Sequence, residues 1–296
     1  MGGALAAEAA LAGHDVYIVD VSKALVDQVT EHGLEIRSAD SMVIGRPKAT
    51  TDAASVGPVD VAVLFVKAQH TRSAAESVKL LRGENTVVLS LQNGWGNADT
   101  LSEVLGTDRL VFGVTYHSCS VIDLGIVNHS GRGETFVGAY EGDDQSDAET
   151  AAELLRTTGW SPTVTSIVRT EIWKKLVLNS ATLPTAALTG LNAGALGETQ
   201  EMASIIEGLA RETTIVAQSL GLDVDPDERI ERIRATLAGA GSGKPSMLQD
   251  TDARRKTEIE VINAAVVRAG ESTGTPTPLN SLMTALIAGL ERSWTK

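Results

Sequence analysis

Short apolar segments alternate with amphipathic segments of helical period over the first 168 residues of this 296-residue chain. The run VDVAVLFV at positions 59–66 is apolar almost throughout, which is typical of a strand covered on both faces of a parallel sheet. Further strands are predicted at 16–19, 86–91 and 110–115, with helices between them. This alternation predicts a doubly wound, Rossmann-type α/β domain.

The chain opens on a helical pattern rather than on a strand. An Ala-rich helix is predicted from Gly2 to Ala12. In a doubly wound domain a strand and a Gly-rich turn precede this helix, and the helix N-terminus faces the pyrophosphate of a dinucleotide. We therefore expect Gly2 and Gly3 to bind the cofactor, and we expect the first strand of the domain to be missing from this sequence. On that expectation the natural product continues upstream by about ten residues, the length of a strand and a turn.

The pattern changes along the second half of the chain. Residues 126–138 (IVNHSGRGETFVG) predict two strands around a Gly-containing turn, and a helix at 148–158 and a strand at 163–167 complete the first domain. After Arg169 the pattern is helical almost to the end. We therefore predict a dinucleotide-binding domain over 1–168 and an all-helical catalytic and substrate domain over 169–296.

Composition restricts the classes of function. The net charge of −13 is the opposite of what a nucleic-acid binder needs. The sequence has no apolar run of the length that spans a bilayer and no basic segment typical of a signal peptide. A single cysteine, Cys119, fits a reducing cytoplasm, and the five histidines have no spacing typical of a metal site. We expect a cytoplasmic protein without a metal, a nucleic-acid partner or a membrane partner.

Asp20 ends the predicted second strand of the dinucleotide fold. A carboxylate there can accept hydrogen bonds from the adenosine ribose hydroxyls, which favours NAD(H), whereas an arginine would favour the phosphate of NADP. The structural alternative is an aspartate that caps the next helix.

Five blocks of the chain form an ordered set of motifs: LFVKAQHT (64–71), SLQNGWGN (90–97), GVTYHSC followed by GIVNHSGRGETFVG (113–138), EIWKKLVLNSATLPTAALTG (171–190) and SMLQDTDARRKTEIEVIN (246–263). In this order, over nearly the whole chain, they resemble the motifs of the ketopantoate reductase family. The last block is the most specific of the five.

The resemblance implies roles for individual residues. Lys175 matches the family's general acid, and Glu258 matches the acid that orients the lysine or the substrate. The other matches are substrate-binding Asn179 and Ser246, Lys67 and Asn93 near both cofactor and substrate, and cofactor-binding His117. For Lys175 and Glu258 the structural alternative is a solvated helix face, and for His117 it is a structural histidine at a strand end.

The same resemblance implies NAD(P)-dependent reduction of a 2-keto acid to a D-2-hydroxy acid. The default substrate is 2-dehydropantoate, whose reduction belongs to pantothenate biosynthesis, and NADP(H) is the family's usual cofactor. We expect a small-molecule keto acid as the binding partner, and the sequence leaves a homodimer open.

One position departs from the family pattern. Leu183 stands before Pro184, where the family usually has a second asparagine. Losing that polar contact penalises a hydroxylated substrate. An NAD-dependent D-2-hydroxyacid dehydrogenase with a more apolar substrate is therefore an alternative, and a non-catalytic nucleotide-binding fragment is an alternative of another class.

Overall fold

A computed structural model describes residues 1–294, and the contacts within it divide the chain into two compact units. The first unit comprises Met1–Gln92 and Ala98–Val168, and the second comprises Asn93–Asn97 and the chain from Arg169 onward. The segment Asn93–Asn97 therefore groups with the second unit, although its neighbours in sequence belong to the first.

The first unit alternates strands and helices. Its elements are α1 (Gly2–Leu11), β1 (Tyr17–Val19), α2 (Lys23–His32), β2 (Leu34–Arg37), β3 (Met42–Gly45), β4 (Lys48–Thr50), β5 (Val59–Leu64), α3 (Thr71–Lys79), β6 (Arg82–Ser90), α4 (Asn97–Leu105), β7 (Leu110–Thr115), β8 (Ser118–Asp123), β9 (Ile126–Gly131), β10 (Thr135–Ala139), α5 (Ser146–Thr157) and β11 (Pro162–Val164).

The strands form three sheets. The largest has the order β11-β10-β7-β6-β5, with β5, β6 and β7 parallel to one another and β10 antiparallel to β7. Helices α3 and α4 pack on one face of this sheet, whereas α1 and α5 pack on the other. The other two sheets are the parallel pair β1-β4 and the four-stranded sheet β3-β2-β9-β8. Helices on both faces of a mainly parallel sheet confirm the predicted Rossmann-type class.

One strand prediction was wrong in detail and another was confirmed. The run at 59–66 was expected to be covered on both faces, but only Ala62 and Leu64 in it are buried, since β5 lies at one edge of its sheet. The two strands predicted within 126–138 form as β9 and β10. They belong to different sheets, since β9 pairs with β8 and β2 whereas β10 pairs with β7 and β11.

The second unit contains helices, one 3₁₀ turn and connecting segments in the part that the structure describes. Its elements are α6 (Val168–Thr189), α7 (Ala193–Glu198), α8 (Gln200–Ser219), α9 (Pro226–Gly239), α10 (Ser246–Asp252), the 3₁₀ turn Ile259–Val261, α11 (Asn263–Thr273) and α12 (Pro278–Ser293). Buried side chains of α6, among them Trp173, Leu176 and Val177, form the centre of its apolar core. Although α6 has 22 residues, no helix within residues 1–294 is both long enough and apolar enough to cross a membrane.

Candidate active site

Lys175 lies on the long helix α6 and is held by a residue from far away in the sequence. Its Nζ donates a hydrogen bond of 2.8 Å to Oδ1 of Asn93. Asn93 follows β6 by three residues and opens the segment that groups with the second unit. Two of the predicted site residues, 82 positions apart, are therefore in direct contact.

The surroundings of Lys175 shift its protonation equilibrium. Burial lowers the pKa of the Lys175 amine from its ordinary 10.5 to about 8, while the negative charge of Glu258 acts in the opposite direction. Glu258 is itself only 7% exposed and immediately precedes the 3₁₀ turn Ile259–Val261. A lysine with this pKa can give up a proton near neutral pH, as a general acid must.

Asn179 and Leu183 extend the same face of α6. They follow Lys175 at intervals of four residues, so the three side chains lie one above another along the helix. Asn179 is 7% exposed and Leu183 is 8% exposed, and Leu183 belongs to the apolar core of the unit. These three side chains, here called the stripe, are therefore an amine, an amide and an aliphatic group in that order along α6. Ser246, another predicted site residue of the unit, is half-buried at the start of α10.

A buried asparagine that the sequence analysis did not single out supports this part of α6. Pro184 has no N–H group, so the carbonyl of Ser180 one turn earlier loses its usual helical partner. Nδ2 of Asn263 donates to that carbonyl at 2.9 Å and to Oδ1 of Asn280 at the same distance. All three polar residues are completely buried. Two features of the sequence could have indicated this contact. One is the proline inside a helical pattern, and the other is the asparagine at the end of the most specific motif.

In the first unit, the start of α1 lies beside the end of β5. Gly2 and Gly3 occupy the first turn of the helix, where backbone N–H groups have no partner within the helix. A Cβ atom at Gly2 would lie 3.3 Å from Cβ of Phe65, so α1 approaches the chain closely at this point. Lys67 follows Phe65 by two residues and is half-buried. The predicted pyrophosphate turn and the predicted lysine therefore belong to one neighbourhood.

Asp20 follows β1 directly, and its Oδ1 accepts a hydrogen bond of 2.8 Å from the backbone N–H of Ser22. Ser22 is in turn the N-cap of α2, because its hydroxyl accepts from the N–H of Leu25. Asp20 thus helps to shape the connection from strand to helix. This geometry is compatible both with the structural alternative and with a ribose-binding carboxylate.

His117 lies in a buried polar cluster of the first unit. Its ring stacks on Trp160 with a centroid distance of 4.0 Å, and its Nδ1 lies 2.9 Å from Nε2 of His129. Glu8 joins the cluster, since its carboxylate accepts from Nε1 of Trp160 at 2.8 Å and from Arg132 at 2.6 Å. Burial, followed by the neighbouring His129 and Arg132, lowers the pKa of His117 to about 4. The imidazole therefore has a structural role, and its cofactor contact stays a prediction.

These residues fit a nicotinamide dinucleotide. The N-terminal turn of α1 offers N–H donors and a positive dipole end to a pyrophosphate. Asp20 stands at the end of β1, where a ribose-binding carboxylate is placed in this fold.

Comparison with known proteins agrees with the sequence motifs and the fold. The family model described as "Ketopantoate reductase PanE/ApbA" matches residues 1–142, and the model described as "Ketopantoate reductase PanE/ApbA C terminal" matches residues 168–291. Together the two models match most of the chain, with residues 143–167 between the matched ranges.

Individual relatives extend over almost the whole chain. A 2-dehydropantoate 2-reductase from Halobacterium salinarum is 31% identical over 90% of this chain and 87% of its own length. One from Archaeoglobus fulgidus is 29% identical over 98% of this chain and 95% of its own length.

Solved structures share the fold. A PanE/ApbA family ketopantoate reductase from Ralstonia eutropha JMP134 superposes with a TM-score of 0.89 at 27% identity, covering 99% of this chain and 95% of that one. A D-mandelate dehydrogenase solved with NADH and anilino(oxo)acetate gives a TM-score of 0.94 at 24% identity, covering 100% and 97% of the two chains. The chain belongs to the ketopantoate reductase family.

Proposed function

We propose that this protein reduces a 2-keto acid to a 2-hydroxy acid with NAD(P)H, and that its substrate is 2-dehydropantoate. The observation that carries the proposal is the buried Lys175 amine, held by Asn93 and flanked by Glu258 and Asn179. The relatives named 2-dehydropantoate 2-reductase support the choice of substrate. On this proposal residues 1–168 bind the dinucleotide and residues 169–296 supply catalysis.

The residues of α6 would act on the substrate's carbonyl group. The bound nicotinamide would supply the hydride. The Lys175 ammonium donates a proton to the carbonyl oxygen as negative charge develops there, and the neutral amine then takes a proton back from solvent. Asn93 orients the ammonium through the 2.8 Å hydrogen bond. On this proposal Asn179 and Ser246 bind the polar groups of the substrate, and Glu258 favours the charged form of the lysine.

Removing the proposed proton donor is the direct test. Lys175→Met keeps a side chain of similar length on α6 but cannot donate a proton. We expect kcat for 2-dehydropantoate reduction to fall by about 10²–10⁴-fold, with little change in the dissociation constant of the nicotinamide cofactor. Steady-state kinetics and fluorescence titration measure the two quantities. Unchanged kcat in the variant would remove Lys175 from the mechanism.

The preference between the two nicotinamide cofactors belongs to the same proposal. We propose that NAD(H) is preferred, because the Asp20 carboxylate repels a 2′-phosphate and can accept from ribose hydroxyls. Asp20→Asn keeps an oxygen for the Ser22 N–H but removes the charge, so the variant should discriminate less between NADH and NADPH. A wild-type protein with a lower dissociation constant for NADPH would contradict this preference.

A second substrate class is favoured by Leu183. It follows Lys175 and Asn179 on the same helix face and is an aliphatic side chain of the core. An apolar end to this stripe suits a keto acid with an apolar or aromatic substituent, as in a D-2-hydroxyacid dehydrogenase. The similarity in fold to a D-mandelate dehydrogenase is consistent with that alternative.

Comparing two keto acids separates the candidates. The values of kcat/KM for 2-dehydropantoate and for 2-oxo-2-phenylacetate should be measured with both cofactors. If 2-dehydropantoate is the substrate, its value is the higher one; the reverse ranking selects the alternative. Leu183→Asn should shift the ratio towards 2-dehydropantoate by about tenfold. Leu188→Asn, the same change at an exposed position of α6, is the matched control. If the protein turns over neither acid, the result favours the non-catalytic alternative.

A further inference from the structure

Trp95 stands between two glycines of the SLQNGWGN block, and its contacts lie in the second unit. Its indole ring packs against that of Trp173 with a centroid distance of 5.6 Å and a tilt of 57°. Its backbone N–H donates to the carbonyl of Val261 at 2.8 Å. The guanidinium of Arg169 lies 5.8 Å from the centre of the Trp95 ring. Residues 93–97, here called the strap, are therefore fastened to α6 and to the 3₁₀ turn.

Gly94 brings the strap into direct contact with that turn. Its φ is +87°, in the left-handed region that favours glycine, and a Cβ atom there would lie 2.3 Å from the carbonyl oxygen of Val261. Gly96 has a similar φ of +98°, but a Cβ atom there would meet nothing within 4 Å. Any side chain at Gly94 must therefore push the strap away from Val261 in the 3₁₀ turn, whereas one at Gly96 carries only the backbone strain.

The contacts of Trp95 hold the strap against α6, where Asn93 accepts the hydrogen bond from Lys175. Trp95 and Asn93, two positions apart in the strap, contact Trp173 and Lys175 of that helix respectively, so a shift of Trp95 is transmitted to Asn93 over a very short stretch of chain. Within the strap, Nδ2 of Asn97 also donates to the backbone carbonyl of Asn93 at 2.8 Å. The indole contact is the large apolar contribution to this arrangement, since Trp173 is completely buried.

We propose that Trp95 is a positioning residue for Lys175: it fixes Asn93 Oδ1 against Lys175 Nζ and so holds the ammonium group in place and in its charged form. The inference rests on the proposed function only in taking Lys175 as the proton donor. Its consequence for catalysis follows from opposing effects at the amine. Burial disfavours the ammonium, whereas the charge of Glu258 favours it. The hydrogen bond that the ammonium donates to the Asn93 amide oxygen also favours the charged form.

Loosening the strap should therefore make Lys175 less basic. In Trp95→Ala we expect the pKa of Lys175 to fall by about one unit, because the acceptor for the ammonium is no longer held. Trp95→Phe retains an aromatic ring against Trp173 and should preserve most of the wild-type value. Asn93→Ala removes the acceptor itself, so the fall in the Lys175 pKa in this variant is the full effect of losing the hydrogen bond.

Competitive labelling measures this pKa in the resting protein. The whole chain is treated with trace acetic anhydride across a pH series, and the extent of acetylation of each lysine is determined by mass spectrometry. Lys174 is the internal reference, since it is adjacent in sequence but pairs with Glu171 at 2.8 Å. Far-ultraviolet circular dichroism checks that each variant is folded.

The two glycines provide a matched pair that leaves both tryptophans intact. Gly94→Ala should shift the titration of Lys175 in the same direction as Trp95→Ala, whereas Gly96→Ala should leave it close to wild type. This pair decides the question if Trp95→Ala does not fold. An unchanged Lys175 titration in folded Trp95→Ala, or equal shifts in the two glycine variants, would overturn the proposal.

Labelling requires no turnover, so the two proposals fail in different ways. If Lys175→Met retains full activity while Trp95→Ala still shifts the titration, the proton-donor role fails and the positioning role stands. If both the proton-donor role and the positioning role hold, Trp95→Ala should lower two quantities by the same amount. One is the pKa of Lys175 measured by labelling, and the other is the pH above which kcat for reduction declines.

Discussion

At the scale of single residues, the protonation of Lys175 determines how the proposed reaction should depend on pH. Burial brings the pKa of its amine down to about 8, with Glu258 opposing the shift. Reduction needs the ammonium, which predominates below that pKa, whereas oxidation of the hydroxy acid needs the neutral amine, which predominates above it.

We therefore predict opposite pH profiles for the two directions. The kcat for keto-acid reduction should be level below pH 8 and fall by about tenfold per pH unit above it, and the kcat for oxidation should rise towards a plateau over the same range. Steady-state rates between pH 6 and about 10 measure both limbs. Lys174→Met is the control, since that lysine pairs with Glu171 and should leave both profiles unchanged. Profiles of the same sign in the two directions would contradict the assignment.

At the scale of elements, α6 depends on a hydrogen bond supplied by another helix. Pro184 leaves the Ser180 carbonyl without its helical donor, and the Asn263 side chain replaces that donor at 2.9 Å. The site is completely buried, so an unpaired carbonyl there is costly. The helix that carries Lys175, Asn179 and Leu183 is therefore supported by the motif that ends in Asn263.

We predict that Asn263→Ala lowers the free energy of unfolding by about 1–3 kcal/mol. Pro184→Ala restores an N–H group that can bond the Ser180 carbonyl, so the same Asn263→Ala change should cost less in that background. A double-mutant cycle by urea denaturation measures the coupling. Equal costs of Asn263→Ala in the two backgrounds would show that the proline and the asparagine are independent.

At the scale of the whole molecule, the histidines are unevenly distributed. All five, from His14 to His129, lie in the first unit. Burial lowers the pKa of His117 to about 4 and also lowers that of His129, so the folded protein holds both rings neutral where free histidines would be protonated. The unfolded chain therefore binds more protons below pH 6.5, and stability is complete above that value and lost as the pH falls towards 4.

We predict that mild acid loosens the first unit before the second. At pH 5 the His117 contribution, at most ~3 kcal/mol in total, is already partly lost. Hydrogen exchange followed by mass spectrometry, corrected for intrinsic rates, should show lost protection in the first unit while the second retains it. His117→Asn should make the protection of the first unit depend less on pH. His32→Asn, at an exposed position, should leave that pH dependence unchanged. Equal loss of protection in the two units would contradict the prediction.

The sequence alone determined the features that depend on local periodicity. Alternating apolar strands and amphipathic helices predicted the Rossmann-type unit, and a 3.6-residue period predicted the helical one. The same period placed Lys175 and Asn179 on one face of α6, because residues four apart in a helix are neighbours. The ordered motifs predicted the family, which the comparisons confirm.

Only the tertiary structure decided which distant residues meet. Strap residues 93–97 join the second unit, Asn263 bonds the Ser180 carbonyl, and His117 packs with Trp160 and Glu8. Periodicity predicts that a side chain is buried, but it does not predict the residue against which that side chain packs. Many arrangements of the same elements would bury it equally well. The acceptor that holds Lys175, Asn93, is 82 positions away in the sequence, and the charge that opposes the effect of burial is that of Glu258, from another element. Such pairings are fixed by how the elements pack together.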